Sequence, residues 1–429
     1  MPALSHLAST RAVPSPGRRA LWMVPMLWLA ACATAGSPPA ALPRAPMDAV
    51  LAQSVGPDGY LGAVALVAER GAVVYRGAVG HADLQARQPL REDAIFRIYS
   101  MTKPVASVAA LMLVEEGRLQ LDAPVATYLP AFAGLRRVAG GSVEAPVLVP
   151  LQRVPTVRHL LTHTAGCATG GDDIRVASAL LQAQAPEDAS DLAGYAERVA
   201  RAPLASEPGT RFRYDGVNTE VLARVIEVAS GQPLEAFLRT RIFQPLRMRD
   251  TGFEVPLAQR GRVMALTTRD AGGRRVLADT LSARQPGIRL RAYTSGAGGL
   301  YSTAADYLRF ARMLAEGGRL EGVRLLREDT VAMMMSDQLG RFDPAVPAPK
   351  PGEGFGLGGY VVTDPAVAAR PGSRGQFGWS GAASTYFTID RGRGLVILLL
   401  SQHLPGDDTP ALPKLAGPFY RAAYTAVSP

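Results

Sequence analysis

Apolar runs of strand length lie near the two ends of the chain, whereas the long middle stretch has the periodicity of helices. The first two runs form a predicted hairpin, and the last two are joined by a turn at residues 390–394. Neither group alone makes a sheet large enough to bury, so the two groups must pair with each other. An α+β fold with an inserted helical region is therefore predicted. Its predicted strands are residues 63–68, 73–79, 355–362, 383–389 and 395–400.

The strongest helical signal begins just after Ser100. Residues 101–116 place apolar side chains on one face, Pro104 falls in the first turn and Gly117 marks the end. A Pro- and Gly-rich surface loop is predicted near residues 340–353. Further helices are predicted at residues 156–161, 192–201, 219–230, 234–242, 304–316 and 418–426.

The charge balance raises the question of nucleic acid as a partner, because the 429 residues carry a formal net charge of +9. The basic residues are scattered, however, without a run of five and without a basic-aromatic stripe. No nucleic-acid partner is therefore expected. Attraction to an anionic envelope surface is an alternative use of this charge.

The first 31 residues have the pattern of a signal peptide. Arg18 and Arg19 precede a short apolar core, which is too short to span a bilayer. Leu29-Ala30-Ala31-Cys32 then resembles the lipobox of bacterial lipoproteins, which implies that Cys32 is acylated and becomes the mature N-terminus. Cleavage at the small residues without lipidation is the alternative. We predict a signal peptide at residues 1–31, a tether at 32–46 and a catalytic domain at 47–429, anchored by lipid in the cell envelope, on the periplasmic side of the outer membrane.

Ser100-Met101-Thr102-Lys103 places a hydroxyl and an amine three residues apart at the start of the predicted helix. Such residues share one helix face. The chain has only three lysines among its 46 basic residues, and a lysine can act as a base whereas an arginine cannot. A capping serine beside a solvated lysine is the alternative interpretation.

Several further motifs occur in a fixed order around this pair. Together they resemble the serine β-lactamase and penicillin-binding-protein superfamily, in particular the class C-like branch that includes the family VIII carboxylesterases, over about residues 48–427. The motifs are FRIYSMTK at 96–103, TVRHLLTHTAG at 156–166, Tyr214-Asp215-Gly216, VLARVIEVASGQPL at 221–234, GAGGLYSTAAD at 296–306 and Trp379-Ser380-Gly381.

The resemblance implies roles for individual residues. Ser100 would be the acylated nucleophile, Lys103 its base and Tyr214 a second acid/base group. The backbone N–H groups of Ser100 and Ala382 would form the oxyanion hole. Trp379, Ser380 and Gly381 would line the substrate site on a strand of an antiparallel sheet. No metal ion and no organic cofactor is implied, and the substrate would be a small ester or a cell-wall-related molecule.

Two departures from the family pattern bear on the substrate. Gly216 replaces an asparagine that holds a substrate amide, and Trp379 replaces a lysine or histidine that meets a substrate carboxylate. Arg374 is the nearest candidate to supply that missing cation, and Asp215 has no assigned role. We therefore expect a carboxylic ester as substrate. The alternatives are β-lactamase or D-alanyl-D-alanine carboxypeptidase activity and, from another class, a non-catalytic envelope binding protein of the same fold.

Other chemistries lack their sequence signatures. No Gly-x-Ser-x-Gly elbow is present. His159 and His163 are four residues apart but without a glutamate after the first, so both are expected to be structural rather than zinc ligands. If Cys32 carries lipid, Cys167 has no partner for a disulfide within the chain.

The lipobox interpretation predicts covalent lipid on Cys32. In cells grown with a clickable fatty-acid analogue, the wild-type protein should be labelled, and Cys32→Ser should not be. Equal labelling of the two proteins would contradict the assignment.

Overall fold

The central sheet joins strands from the two ends of the described chain. The computed structural model describes residues 44–167, 169–405, 412 and 415–427, so Cys32, the predicted signal peptide and nearly all of the predicted tether lie outside the described residues. The strands are β1 (Gly62–Glu69), β2 (Ala72–Gly80), β3 (Ile95–Arg97), β4 (Arg136–Gly141), β5 (Pro146–Pro150), β6 (Thr267–Arg269), β7 (Arg275–Leu277), β8 (Tyr301–Thr303), β9 (Arg319–Leu320), β10 (Val323–Arg324), β11 (Glu353–Phe355), β12 (Tyr360–Val362), β13 (Phe377–Gly381), β14 (Thr385–Asp390) and β15 (Leu395–Leu400).

Most of the described α-helices lie between β2 and β11. The α-helices are α1 (Ala45–Ser54), α2 (Thr102–Glu115), α3 (Val157–Leu161), α4 (Arg175–Gln182), α5 (Leu192–Ala200), α6 (Val217–Ser230), α7 (Leu234–Leu238), α8 (Leu281–Arg284), α9 (Ala304–Ala315), α10 (Glu328–Met334) and α11 (Ala416–Ala426). Short 3₁₀ turns lie at Tyr99–Met101, Val125–Thr127, Pro130–Gly134, Asp172–Ile174, Pro186–Asp188, Leu257–Arg262 and Leu339–Arg341, and a π-helical turn lies at Arg239–Phe243. None of the described helices is long and apolar enough to cross a membrane.

The seven-stranded sheet has the order β11-β12-β13-β14-β15-β1-β2, and every neighbouring pair in it is antiparallel. The first strand pairs with the last, with Val64 opposite Leu400 and Glu69 opposite Leu395. This pairing confirms the predicted α+β fold with a sheet built from both chain ends.

Burial of both sheet faces explains why β1 and β15 read as uninterrupted apolar runs. Side chains of a strand alternate between the two faces, and a strand covered on both needs apolar residues at every position. On one face, Val64 and Leu398 join a core with residues of α2, α6 and α9. On the other, Ala65 and Ile397 pack with α1 and α11.

The predicted strand at 355–362 is two strands in the structure. β11 and β12 are joined by a glycine-rich turn, because a Cβ at Gly356 would lie 2.3 Å from the Met334 carbonyl oxygen and one at Gly358 would lie 2.0 Å from Ser107 Oγ. Only glycine allows this turn to approach α2 so closely. The predicted helix at 234–242 likewise divides, since α7 ends at Leu238 and a π-helical turn follows. The four two-stranded sheets of the inserted region were not predicted.

Candidate active site

Ser100 lies in a tight turn between β3 and helix α2. The turn, Tyr99–Met101, is a single 3₁₀ turn, and Tyr99 has a φ of +42°, in the left-handed region. Such a conformation costs a non-glycine residue on the order of 1–3 kcal/mol and persists where its surroundings hold it. Here Ile98 is held on both sides: its N–H donates to the Leu300 carbonyl and its carbonyl accepts from Met101 N–H, each at 3.0 Å.

Lys103 meets Ser100 inside the protein. Its side chain lies one helical turn further along, the residue is only 3% exposed, and Nζ lies 3.0 Å from Ser100 Oγ. The same amine donates to the Ala297 carbonyl at 2.8 Å and lies 4.9 Å from the centre of the Tyr214 ring. These three contacts satisfy a buried amine that would otherwise be costly to desolvate. The capping interpretation with a solvated lysine is thereby excluded.

The segment that presents the Ala297 carbonyl is anchored by a buried carboxyl group. Glu220, on α6, accepts hydrogen bonds from Ser295 Oγ at 2.5 Å and from Gly296 N–H at 2.9 Å. Ser295 Oγ in turn accepts from Gly298 N–H at 3.1 Å. A Cβ at Gly296 would lie 2.7 Å from Ala223 Cβ, so glycine is needed for the segment to lie this close to α6. The GAGG sequence is thus the inner wall of the site.

Two buried carboxyl groups experience the charge of Lys103. Burial raises the pKa of Glu220 to about 7, and the Ser295 hydrogen bond and Lys103 oppose that rise. Burial raises the pKa of Asp215 to about 6, opposed by its hydrogen bonds from Asn218 and by Lys103. Asp215 precedes α6, and its Oδ1 accepts from Asn218 N–H, at 3.2 Å, and from Asn218 Nδ2, at 2.8 Å, so this carboxyl group is tied to the first turn of the helix.

Tyr214 and Trp379 form the outer wall. Trp379 Nε1 donates to Tyr214 Oη at 3.2 Å, and their ring centres are 4.9 Å apart. His163 lies 4.8 Å from the Tyr214 ring on another side, and Phe355 packs edge-on against Trp379. Within the described residues, no hydrogen bond joins the Tyr214 hydroxyl to Ser100 or Lys103. The structure therefore places its ring, rather than its hydroxyl, against the amine.

The end of β13 lies against the turn that carries Ser100. A Cβ at Gly381 would be 2.3 Å from the Ile98 carbonyl oxygen, so a side chain there would push strand and turn apart. Thr385 Oγ1 donates to the same carbonyl at 3.4 Å. Ser380 and Ala382, on either side of Gly381, are exposed. The predicted substrate-binding strand and the predicted oxyanion-hole residue thus border the turn that carries Ser100.

The two histidines have structural contacts. His159 caps α3, since its Nδ1 accepts Thr156 N–H at 3.0 Å and its own N–H donates to Thr156 Oγ1 at 3.3 Å. Burial lowers the pKa of His159 to about 4. Burial, together with the charge of Lys103, lowers the pKa of His163 well below its usual value. In the part of the chain that the structure describes, no group of three or more His, Cys, Asp or Glu side chains is placed to hold a metal ion.

No other described side chain near Ser100 replaces the asparagine expected at Gly216 or the cation expected at Trp379. A Cβ at Gly216 would meet only Ala297 Cβ, at 3.7 Å, and glycine itself supplies no side-chain hydrogen bond there. Arg374 is exposed in the turn before β13 and, among the described residues, forms no ion pair or hydrogen bond with the site. Ala297 and Glu220 were not singled out from the sequence, although both lie in or beside motifs that were.

Known proteins are similar to this chain over most of its length. The family model for Beta-lactamase matches residues 47–417. The esterase EstB of Burkholderia gladioli is 35% identical over 392 residues, covering 86% of this chain and 92% of the relative. The lovastatin esterase of Penicillium rubens is 29% identical over 374 residues, covering 81% and 90%.

Solved structures agree with this relationship. The chain of EstCE1, described as a hydrolase with promiscuous acyltransferase activity, superposes with a TM-score of 0.73 at 25% identity, covering 89% of this chain and 98% of that one. The fold is thus shared over most of the chain. The chain belongs to the Beta-lactamase family, as its motifs predicted.

Proposed function

We propose that this protein is a serine hydrolase that cleaves carboxylic esters through an acyl-enzyme on Ser100. The observation that carries the proposal is the 3.0 Å separation of Lys103 Nζ from Ser100 Oγ in a buried setting. A serine hydroxyl is a weak nucleophile until a neighbouring base takes its proton. The esterase relatives support the choice of esters as the substrate class.

In the acylation step, Ser100 Oγ attacks the ester carbonyl carbon while Lys103 Nζ accepts the hydroxyl proton. The carbonyl electrons move to oxygen, and the backbone N–H groups of Ser100 and Ala382 stabilise this oxyanion. Collapse of the intermediate breaks the bond to the alcohol oxygen. Tyr214 Oη accepts a hydrogen bond from Trp379, so its own hydroxyl hydrogen is available to protonate the departing alcohol.

Hydrolysis of the acyl-enzyme reverses these proton transfers. A water molecule attacks the acyl carbon, gives its proton to the Lys103–Tyr214 pair, and Ser100 leaves with a proton returned from that pair. The acid product and the free enzyme result.

The surroundings of Ser100 favour an ester over a β-lactam or a D-alanyl peptide. Recognition of those substrates needs a partner for an amide group and a cation for a carboxylate close to the reacting carbonyl. Gly216 supplies no side-chain hydrogen bond, and Trp379 supplies no charge. A carboxylate buried against Trp379 would be poorly compensated.

The sequence also supports a location. We propose that lipid on Cys32 anchors the enzyme in the cell envelope, with the catalytic domain in the periplasm. The support is the Leu29–Cys32 motif after a short apolar core.

Esters should be turned over far better than a β-lactam. We expect kcat/KM for short-chain p-nitrophenyl esters to exceed that for nitrocefin by at least about a hundredfold, equivalent to about 2.7 kcal/mol of transition-state discrimination. Both reactions are followed by absorbance with the same enzyme preparation.

Ser100→Ala is the control for this comparison, because background hydrolysis of activated esters would survive it. Comparable efficiency on nitrocefin would contradict the proposed substrate class, and undiminished ester hydrolysis by Ser100→Ala would contradict the nucleophile.

Removal of the Glu220 carboxyl should impair the chemical step rather than binding. In Glu220→Ala, Ser295 and Gly296 lose their acceptor, and the Ala297 carbonyl is no longer held against Lys103. Misplacement of a catalytic group by about 1 Å can cost about a hundredfold in rate, so we expect kcat to fall by roughly 10- to 100-fold with KM changed less than about twofold. Glu220→Gln, which keeps one acceptor oxygen, should recover part of kcat.

Glu227→Ala is a matched control on the same helix. Glu227 also accepts a backbone hydrogen bond, from Leu234 N–H at 3.0 Å, but its partners lie away from Lys103. Both alanine variants should lose thermal stability, and only Glu220→Ala should lose kcat. Equal kcat for the two variants would show that Glu220 has no positioning role.

A further inference from the structure

A cavity of about 450 Å³ opens next to the candidate active site and shares part of its wall. Tyr214, Trp379 and Ser380 line both, whereas Ser100 and Lys103 are not among the residues that line the cavity. Its volume is that of a small-molecule site. The cavity thus adjoins the reacting groups through the outer wall of the site.

The cavity extends past the end of a strand. β12 pairs with β13 only at Phe377 and Gly378, so β13 continues beyond its short neighbour at Trp379 and Ser380. From there the cavity reaches Tyr420 and Arg421 of helix α11, which packs on the sheet face opposite to α2. A molecule that fills it must therefore extend from one face of the sheet towards the other.

Aromatic side chains make up much of the wall. Tyr214, whose ring contacts Lys103, lies at the end next to Ser100, and Phe212, Tyr360, Trp379 and Tyr420 also line the cavity. Flat apolar surfaces of this kind bind ring-sized groups through dispersion and stacking. The body of the molecule that fits here is therefore apolar and about one or two rings in size.

Of the four charged residues in the cavity wall, two form an ion pair with each other and two have no ion-pair partner among the described residues. Glu353 and Arg370 neutralise each other in an ion pair of 2.7 Å, and the Arg370 guanidinium also lies 4.4 Å from the centre of the Tyr360 ring. Lys350 and Arg421 line the same cavity, and neither has a carboxylate within 4.0 Å among the described residues. Within the described residues the cavity therefore carries two cations without a carboxylate partner, and neither comes from the residues around Ser100.

We propose that this cavity is a subsite for the remote part of the substrate, and that it selects esters whose ring-sized apolar body ends in a carboxylate. The inference rests on the proposed esterase function. Lys350 and Arg421 bind the anionic end, and the aromatic wall contacts the body between that end and the scissile carbonyl. A β-lactam does not meet this requirement, because its carboxylate lies next to the reacting ring rather than beyond a further group.

Matched substrates that differ only in charge test the subsite. In the first pair, the leaving-group arm, the charge is on the alcohol half of the ester: the acetyl ester of hydroxybiphenyl carboxylic acid is compared with the corresponding carboxamide. In the second pair, the acyl arm, the charge is on the acyl half: the p-nitrophenyl ester of carboxyphenyl-butanoic acid is compared with the corresponding carboxamide. In one of the two arms, wild-type kcat/KM for the carboxylate should exceed that for the carboxamide by about tenfold at low salt, and added salt should reduce the ratio because the cations are exposed. The arm that responds identifies which half of the ester enters the cavity.

The variant Lys350→Gln/Arg421→Gln should lower that ratio to about one and leave hydrolysis of p-nitrophenyl acetate unchanged. Arg374→Gln is the matched control, since Arg374 is an exposed arginine near β13 that does not line the cavity, and this variant should keep the wild-type ratio. A ratio near one in both arms for the wild type, or a ratio lost in Arg374→Gln and kept in the double variant, would overturn the subsite. Failure to hydrolyse p-nitrophenyl acetate would instead overturn the esterase proposal itself.

Discussion

The burial of the Lys103 amine is the constraint around which the site is organised. An amine that is only 3% exposed needs polar contacts in place of water. It finds them in Ser100 Oγ, the Ala297 carbonyl and the face of the Tyr214 ring. Each of these partners comes from a different part of the chain, so the amine can be satisfied only when the turn before α2, the 295–298 segment and the loop before α6 are assembled. The same contacts that make burial tolerable also aim the amine at the serine hydroxyl.

Close backbone approach brings those parts together, and glycine is the residue that permits it. Gly381 lets the end of β13 reach the Ile98 carbonyl, and Gly296 lets the 295–298 segment lie on α6. The sheet supplies the fixed support, because β15 pairs with β1 from Leu400 opposite Val64 to Leu395 opposite Glu69 and both strands are covered on both faces. Rigid elements on either side of a short strained turn are the arrangement expected where a nucleophile must be held in one orientation.

Much of this could be predicted from the sequence, since the information was local or periodic. The apolar runs gave β1 and β15, and the three-residue spacing gave the Ser100–Lys103 contact. Contacts that depend on chain segments far apart could not be predicted in this way. The role of Glu220 exists only because residue 295 lies beside α6, and the aromatic contact of Tyr214 with Lys103 depends on the path of a loop. The break between β11 and β12 could not be predicted, because the need for Gly356 and Gly358 comes from close contacts with Met334 and with α2. Both contacts are distant in sequence.

The central claim is that Lys103 activates Ser100 for covalent catalysis, and trapping of the acyl-enzyme tests it most directly. The protein is mixed with a p-nitrophenyl ester, quenched with acid during turnover, digested and analysed by tandem mass spectrometry. The acyl mass should appear on Ser100 in the wild-type protein. It should be absent from Lys103→Arg, which keeps the positive charge but cannot accept a proton, so that acylation falls by about 10²–10⁴-fold. An acyl group on another residue, or undiminished acylation of Ser100 in Lys103→Arg, would contradict the account.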